Sequence, residues 1–115
     1  MRRDMDLIRE ILLEIESKES ETSWVTVSFE GYSEQEVNYH VKLLSQEGLI
    51  KAKPYMSGHM IQNLTWQGHD FIEDAKNETV WIKAKEFIKE KGGSASLSVM
   101  TEVLKSFALK HFNVE

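Results

Sequence analysis

Residues 32–50 read YSEQEVNYHVKLLSQEGLI, and the way this stretch folds decides how the rest of the chain is read. Ser33 is a favourable N-cap and Glu36, three residues on, completes a capping box, so a helix is expected from Glu34. It should end at Gly48, the residue type that best tolerates the left-handed conformation closing a helix. On a wheel of about 100° per residue, Val37, Val41 and Leu44 cluster with His40 beside them, and form the predicted core face. Gln35, Asn38, Tyr39, Lys42 and Gln46 point broadly the other way, while Glu34, Glu36 and Glu47 fall on the flanks. The outward face is free of acid.

Upstream, Leu7, Ile8, Ile11, Leu12 and Ile15 repeat at helical spacing, predicting a first helix from Asp4 to about Lys18, with Asp4 and Asp6 at its positive end. The polar run at residues 17–23 leads to residues 24–29, WVTVSF, whose alternation of β-branched or aromatic with small polar residues predicts a short strand. Gly31 marks a turn. Downstream, residues 49–56 and 60–64 read as two strands joined at Ser57-Gly58-His59, with Pro54 requiring an edge or a bulge.

Three more helices are expected. Thr65 can cap one running from Trp66 to about Lys76, with Phe71, Ile72 and Ala75 on its apolar side. Asn77 can cap a second, carrying Val80, Trp81, Ala84, Phe87 and Ile88 and stopping at Gly92-Gly93. Ser96 can cap the last. The order is helix, strand, helix, hairpin and three helices, an α+β chain that is mainly α.

Val41-x-x-Leu44-x-x-x-Gly48-Leu49-Ile50 followed by a hairpin and Leu64-Thr65-Trp66-Gln67-Gly68 resembles the winged helix-turn-helix arrangement. In winged-helix repressors the first run closes the recognition helix and the second leaves the wing. The stretch MRRDMDLIR at residues 1–9, Gly31-Tyr32-Ser33 leading to Asn38-Tyr39-His40, residues 64–71 and the Gly92-Gly93 hinge are similar to an uncharacterised family of small bacterial proteins. Members of that family, a domain of unknown function, are often associated with phages or prophages. The resemblance implies a winged-helix domain over residues 1–76 and a C-terminal helical extension over 77–115, packed on it or dimerising. It implies no catalytic residues. One departure stands out: a helix-turn-helix normally carries a full helix before the recognition helix, and residues 19–32 leave room for at most one turn.

Glutamine and asparagine can pair bidentately with adenine, lysine can reach guanine or phosphate, and tyrosine can contact sugar or phosphate. Gln35, Asn38, Tyr39, Lys42 and Gln46 are therefore candidate contacts to double-stranded DNA, with Lys51, Lys53 and His59 of the hairpin on the backbone and Arg2 and Arg3 as a short basic arm. The same residues also suit a solvated helix, or a protein contact through Tyr39 and Leu43, and lysines on edge strands also discourage aggregation. The expected function is a winged-helix DNA-binding regulator of a phage or mobile element. The alternative is an adaptor that binds a protein and no DNA.

Charge bears on that choice. Residues 1–50 hold five basic and eleven acidic side chains, net −6, and residues 51–115 hold nine and eight, net +1. DNA affinity draws much of its strength from counterion release by lysine and arginine, so the acidic half favours the adaptor. The chain has no cysteine, which excludes disulfides and thiolate chemistry. His40, His59, His69 and His111 lack metal-ligand spacing, and no phosphate loop or nucleophile elbow is present, so neither an enzyme nor a bound cofactor or metal is expected.

Trp24, Trp66 and Trp81 stand among apolar neighbours and are expected in the core. The last helix is apolar over more than one side, so Val99, Val103, Phe107 and Phe112 are expected to form a homodimer contact. The absence of a long apolar run and of a signal-like N-terminus leads to the expectation of a cytoplasmic protein without membrane contact.

Overall fold

The computed structural model describes residues 2–18, 26–55, 58–93 and 95–112. Five helices and one hairpin follow in the order α1 (Met5–Lys18), α2 (Glu34–Gln46), β1 (Ile50–Tyr55), β2 (Gly58–Leu64), α3 (Trp66–Ala75), α4 (Glu78–Glu90) and α5 (Leu97–His111). The chain is mainly helical α+β. It divides into two compact units, Met1–His69 and Asp70–Glu115, with the division falling inside α3.

In the first unit α1 buries Leu7, Ile8, Ile11, Leu12 and Ile15 completely, the stripe that the spacing predicts. Asp4 caps this helix: its Oδ1 accepts from the Leu7 backbone N–H at 3.1 Å. α2 buries Val37, His40, Val41 and Leu44, and its capping box is complete, with Glu36 N–H donating to the Ser33 hydroxyl and Ser33 N–H to the Glu36 carboxylate, each at 3.0 Å. At its other end Gly48 takes φ +78°, and Leu49 N–H returns to the Leu44 carbonyl at 2.9 Å. That is a Schellman closure, and its apolar partners Leu44 and Leu49 are both buried.

β1 and β2 pair antiparallel from Ile50 opposite Leu64 to Tyr55 opposite Gly58, with the register shifting between Lys51 and Ala52, where Gln62 is the extra residue on β2. Both strands of this two-stranded sheet are edges, the position a proline requires, and Pro54 occupies one. β2 begins at Gly58, two residues earlier than expected, so Gly58 and His59 belong to the strand and not to the turn.

The strand expected over residues 24–29 is corrected by the described part of it. Residues 26–29 carry no strand pairing, and Trp24 and Val25 lie outside the described residues. The alternation survives as exposure, with Thr26 and Ser28 exposed and Val27 and Phe29 half-buried, but a strand needs a paired neighbouring strand and among the described residues these four have none. Tyr32 N–H then closes a turn onto the Phe29 carbonyl at 3.3 Å, with Gly31 at φ +86° supplying the conformation that its third position demands.

In the second unit Phe71, Ile72 and Ala75 of α3, Val80, Trp81 and Ala84 of α4, and Leu97, Met100, Leu104 and Ala108 of α5 form the core. Phe71 and Trp81 meet edge to face at 6.5 Å between centroids. α4 is capped by Asn77, which accepts from Val80 N–H at 3.0 Å, and α5 by Ser96, which accepts from Val99 N–H at 3.1 Å. Gly92 at φ +125° and the bond from Gly93 N–H to the Ile88 carbonyl at 2.9 Å close α4 as Gly48 closes α2.

Candidate functional site

α2 presents its outward face as the wheel predicts. Gln35, Lys42 and Gln46 are exposed along one stripe, and Asn38 and Tyr39 are half-buried on its two sides. Asn38 is engaged with the hairpin. A Cβ on Gly58 of β2 would lie 3.2 Å from the Asn38 side-chain oxygen, so the first residue of β2 packs against this flank of α2. Tyr39 is edge-on to the His40 ring at 5.3 Å between centroids.

His40 anchors the opposite flank. It is 1% exposed, its Nδ1 lies 2.7 Å from the Glu36 carbonyl, and its Nε2 lies 2.8 Å from the Asp4 backbone nitrogen. A backbone N–H can only donate, so Nε2 is the acceptor and Nδ1–H the donor, which assigns the neutral Nδ1 tautomer. The Asp4 carboxylate accepts from Leu7 N–H through one oxygen and from the Tyr32 hydroxyl, at 3.2 Å, through the other. Burial, and then the Asp4 carboxylate beside it, raises the Tyr32 phenol above its ordinary value, so Tyr32 stays protonated and donating. One aspartate thus ties the start of α1, the loop before α2 and the middle of α2 together.

Arg2 and Arg3 are both exposed and lead directly into Asp4, so the N-terminal arm leaves from the His40 flank of α2. On β1 Lys51 and Lys53 are exposed and two residues apart, hence on one face of the strand. His59 is half-buried, and its Nδ1 is buried without a hydrogen-bond partner among the described residues. The contacts thus join the start of β2 to the Asn38 flank of α2 and the residue after Arg3 to buried His40 on its other flank, with His59 turned partly inward.

The run Leu64-Thr65-x-x-Gly68 has a structural explanation. Thr65 caps α3 by accepting from Gly68 N–H at 3.1 Å, while its hydroxyl donates to the Gly48 carbonyl and its N–H to the Leu49 carbonyl. A Cβ on Gly68 would fall 2.0 Å from the Leu49 oxygen, so only glycine lets α3 start this close to the end of α2.

One expectation is corrected here. Trp66, expected in the core, is 82% exposed. It occupies the first position of α3, and on the helical wheel it lies nearly opposite Gly68, Phe71, Ile72 and Ala75. Periodicity read along α3, in place of the apolar character of its neighbours, would have found this contact-ready tryptophan. Trp81 is buried as expected, and Trp24 lies outside the described residues.

Among the four residues expected at a dimer contact, Val99 is 50% exposed and Val103 and Phe107 are half-buried on one flank of α5, with Phe107 edge-on to Phe87 at 5.9 Å. Phe112, 57% exposed, lies on the other flank, where it lines an open groove with Asp74, Lys105, Ala108 and Leu109. The four do not form one patch. In the groove, burial and then the neighbouring Asp70 raise the Asp74 carboxyl above its ordinary value, with Lys105 acting in the opposite direction.

Among the described residues no helix is long and apolar enough to cross a membrane. Comparison with known proteins gives a family. A family model described as "Hypothetical protein (DUF2513)" matches residues 2–94, most of the chain. The chain belongs to the DUF2513 family. A Haemophilus influenzae relative, described as an uncharacterized protein, is 41% identical over 108 residues, covering 90% of this chain and 92% of its own. No solved structure matches. The DUF2513 match ends between α4 and α5, so it takes in α2, the hairpin and the Thr65–Gly68 joint.

Proposed function

We propose that this DUF2513 protein is a winged-helix regulator that binds double-stranded DNA, with α2 as the recognition helix, β1 and β2 as the wing, and Arg2 and Arg3 as a basic arm. The observation that carries the reading is the acid-free stripe Gln35, Lys42 and Gln46 on α2, flanked on one side by the hairpin and on the other by the N-terminal arm. The three glutamates of this stretch, Glu34, Glu36 and Glu47, all lie off the stripe. Glu36 is consumed in the capping box and Glu47 is the C-cap, off the stripe. The setting in a phage or other mobile element rests on the resemblance noted in the sequence.

In this reading Gln35 and Gln46 address base edges, Lys42 a guanine or a phosphate, and Lys51, Lys53, Arg2 and Arg3 the backbone. Asn38 is committed in part to the hairpin, and so helps set the angle between helix and wing. The net charge of −6 over residues 1–50 and the exposed Trp66 favour a second reading, an adaptor that docks on a protein through an aromatic anchor. Selection from random duplex DNA discriminates between them. A regulator enriches a sequence, and Gln35→Ala relaxes preference at one position of it by about 1 to 3 kcal/mol. An adaptor enriches none.

A further inference from the structure

α5 exposes a row that is complementary to its own reverse. Glu102, Ser106 and Lys110 are exposed and follow one another at intervals of four, with an acid on one side of a small central residue and a base on the other. Beside them runs the parallel row Val99, Val103 and Phe107, apolar and only partly covered. Rows spaced by four are the ridges of a helix surface, and two helices crossing at about −50° lay such ridges side by side.

We propose that the occupant of this face is a second copy of the chain, with the two α5 helices antiparallel and crossing at Ser106. In that arrangement Glu102 of each copy meets the partner's Lys110, whereas the parallel arrangement sets like charge against like. The ridge of one copy enters the groove between the two rows of the other, where Val99, Val103 and Phe107 supply the apolar contact. Sign reversal about Ser106 is what singles out a second copy, because the face is matched by itself. The inference is independent of what α2 binds. Helices about 22 Å long crossing once bury an area at the low end for specific complexes, so dimerisation falls in the micromolar range.

Sedimentation velocity of the whole chain from about 1 to 100 μM tests the proposal. A mass rising with concentration from that of one chain to that of two is expected. Glu102→Lys and Lys110→Glu should each weaken self-association about tenfold or more, since each turns both symmetry-related ion pairs into repulsions. An equimolar mixture of these two variants should recover it, because every contact between unlike chains again joins acid to base. Both sites are exposed, and circular dichroism checks that the variants stay folded. A 13.3 kDa species at every concentration overturns the proposal. So does a dimer that is indifferent to the single changes, or one that the mixture fails to restore.

Discussion

At the scale of single residues, chemistry and close approach decide more than hydrophobicity does. Gly68 admits no side chain because the Leu49 carbonyl occupies the space of its Cβ. Gly68→Ala should therefore cost at least about 3 kcal/mol and lower the melting temperature by roughly 10 °C, while the exposed neighbour Gln67→Ala changes stability by no more than about 0.5 kcal/mol, both read from thermal melts. Asp74 gives a pH signature. Its folded-state value is raised, first by burial, so its contribution is fully present below the unfolded carboxyl value near 4 and is lost as pH rises through the folded value. Asp74→Asn should accordingly be more stable than the natural chain at pH 7, and the difference between the two should vanish by about pH 4. The pairing of His40 with Asp4 spans 36 residues and left no mark in local sequence, although the wheel had put His40 at the core face. Trp66 was legible and was misread, since apolar neighbours in sequence are not neighbours on a helix.

The helices and the hairpin show where local signals suffice. Ser33, Asn77 and Ser96 each cap the helix they were expected to start, and Gly48 and Gly92 close theirs, because caps and left-handed closures are satisfied within a few residues of chain. Ser33→Ala should remove one half of the capping box and cost about 1 kcal/mol in denaturant melts. A smaller effect would mean that α2 is held by its buried face alone. Residues 26–29 went the other way. Val27 and Phe29 keep the inward alternation of a strand, but pairing is a property of the partner edge, which no window of sequence contains. The residues expected at a dimer contact divide for a related reason: Phe112 shares apolar character with Val99, Val103 and Phe107 but lies on the opposite flank of α5, where it borders the Asp74 groove.

At the scale of the whole molecule, an acidic chain carries a basic-to-neutral stripe on α2, the helix proposed to read DNA. Its net charge of −5 limits non-specific attraction, so the proposed affinity for duplex DNA rests on a few placed contacts. The proposed docking sets five basic side chains, Arg2, Arg3, Lys42, Lys51 and Lys53, against phosphate, which implies a log–log salt slope of about −4.5. Fluorescence anisotropy with a duplex carrying the selected sequence, titrated between about 50 and 200 mM salt, tests the proposed role of α2 most directly. The expected result is a several-hundred-fold loss of affinity across that range, with Lys42→Ala weakening binding and making the slope shallower by about one. Binding that ignores salt, or a Lys42→Ala variant that binds as the natural chain does, would contradict DNA recognition by α2.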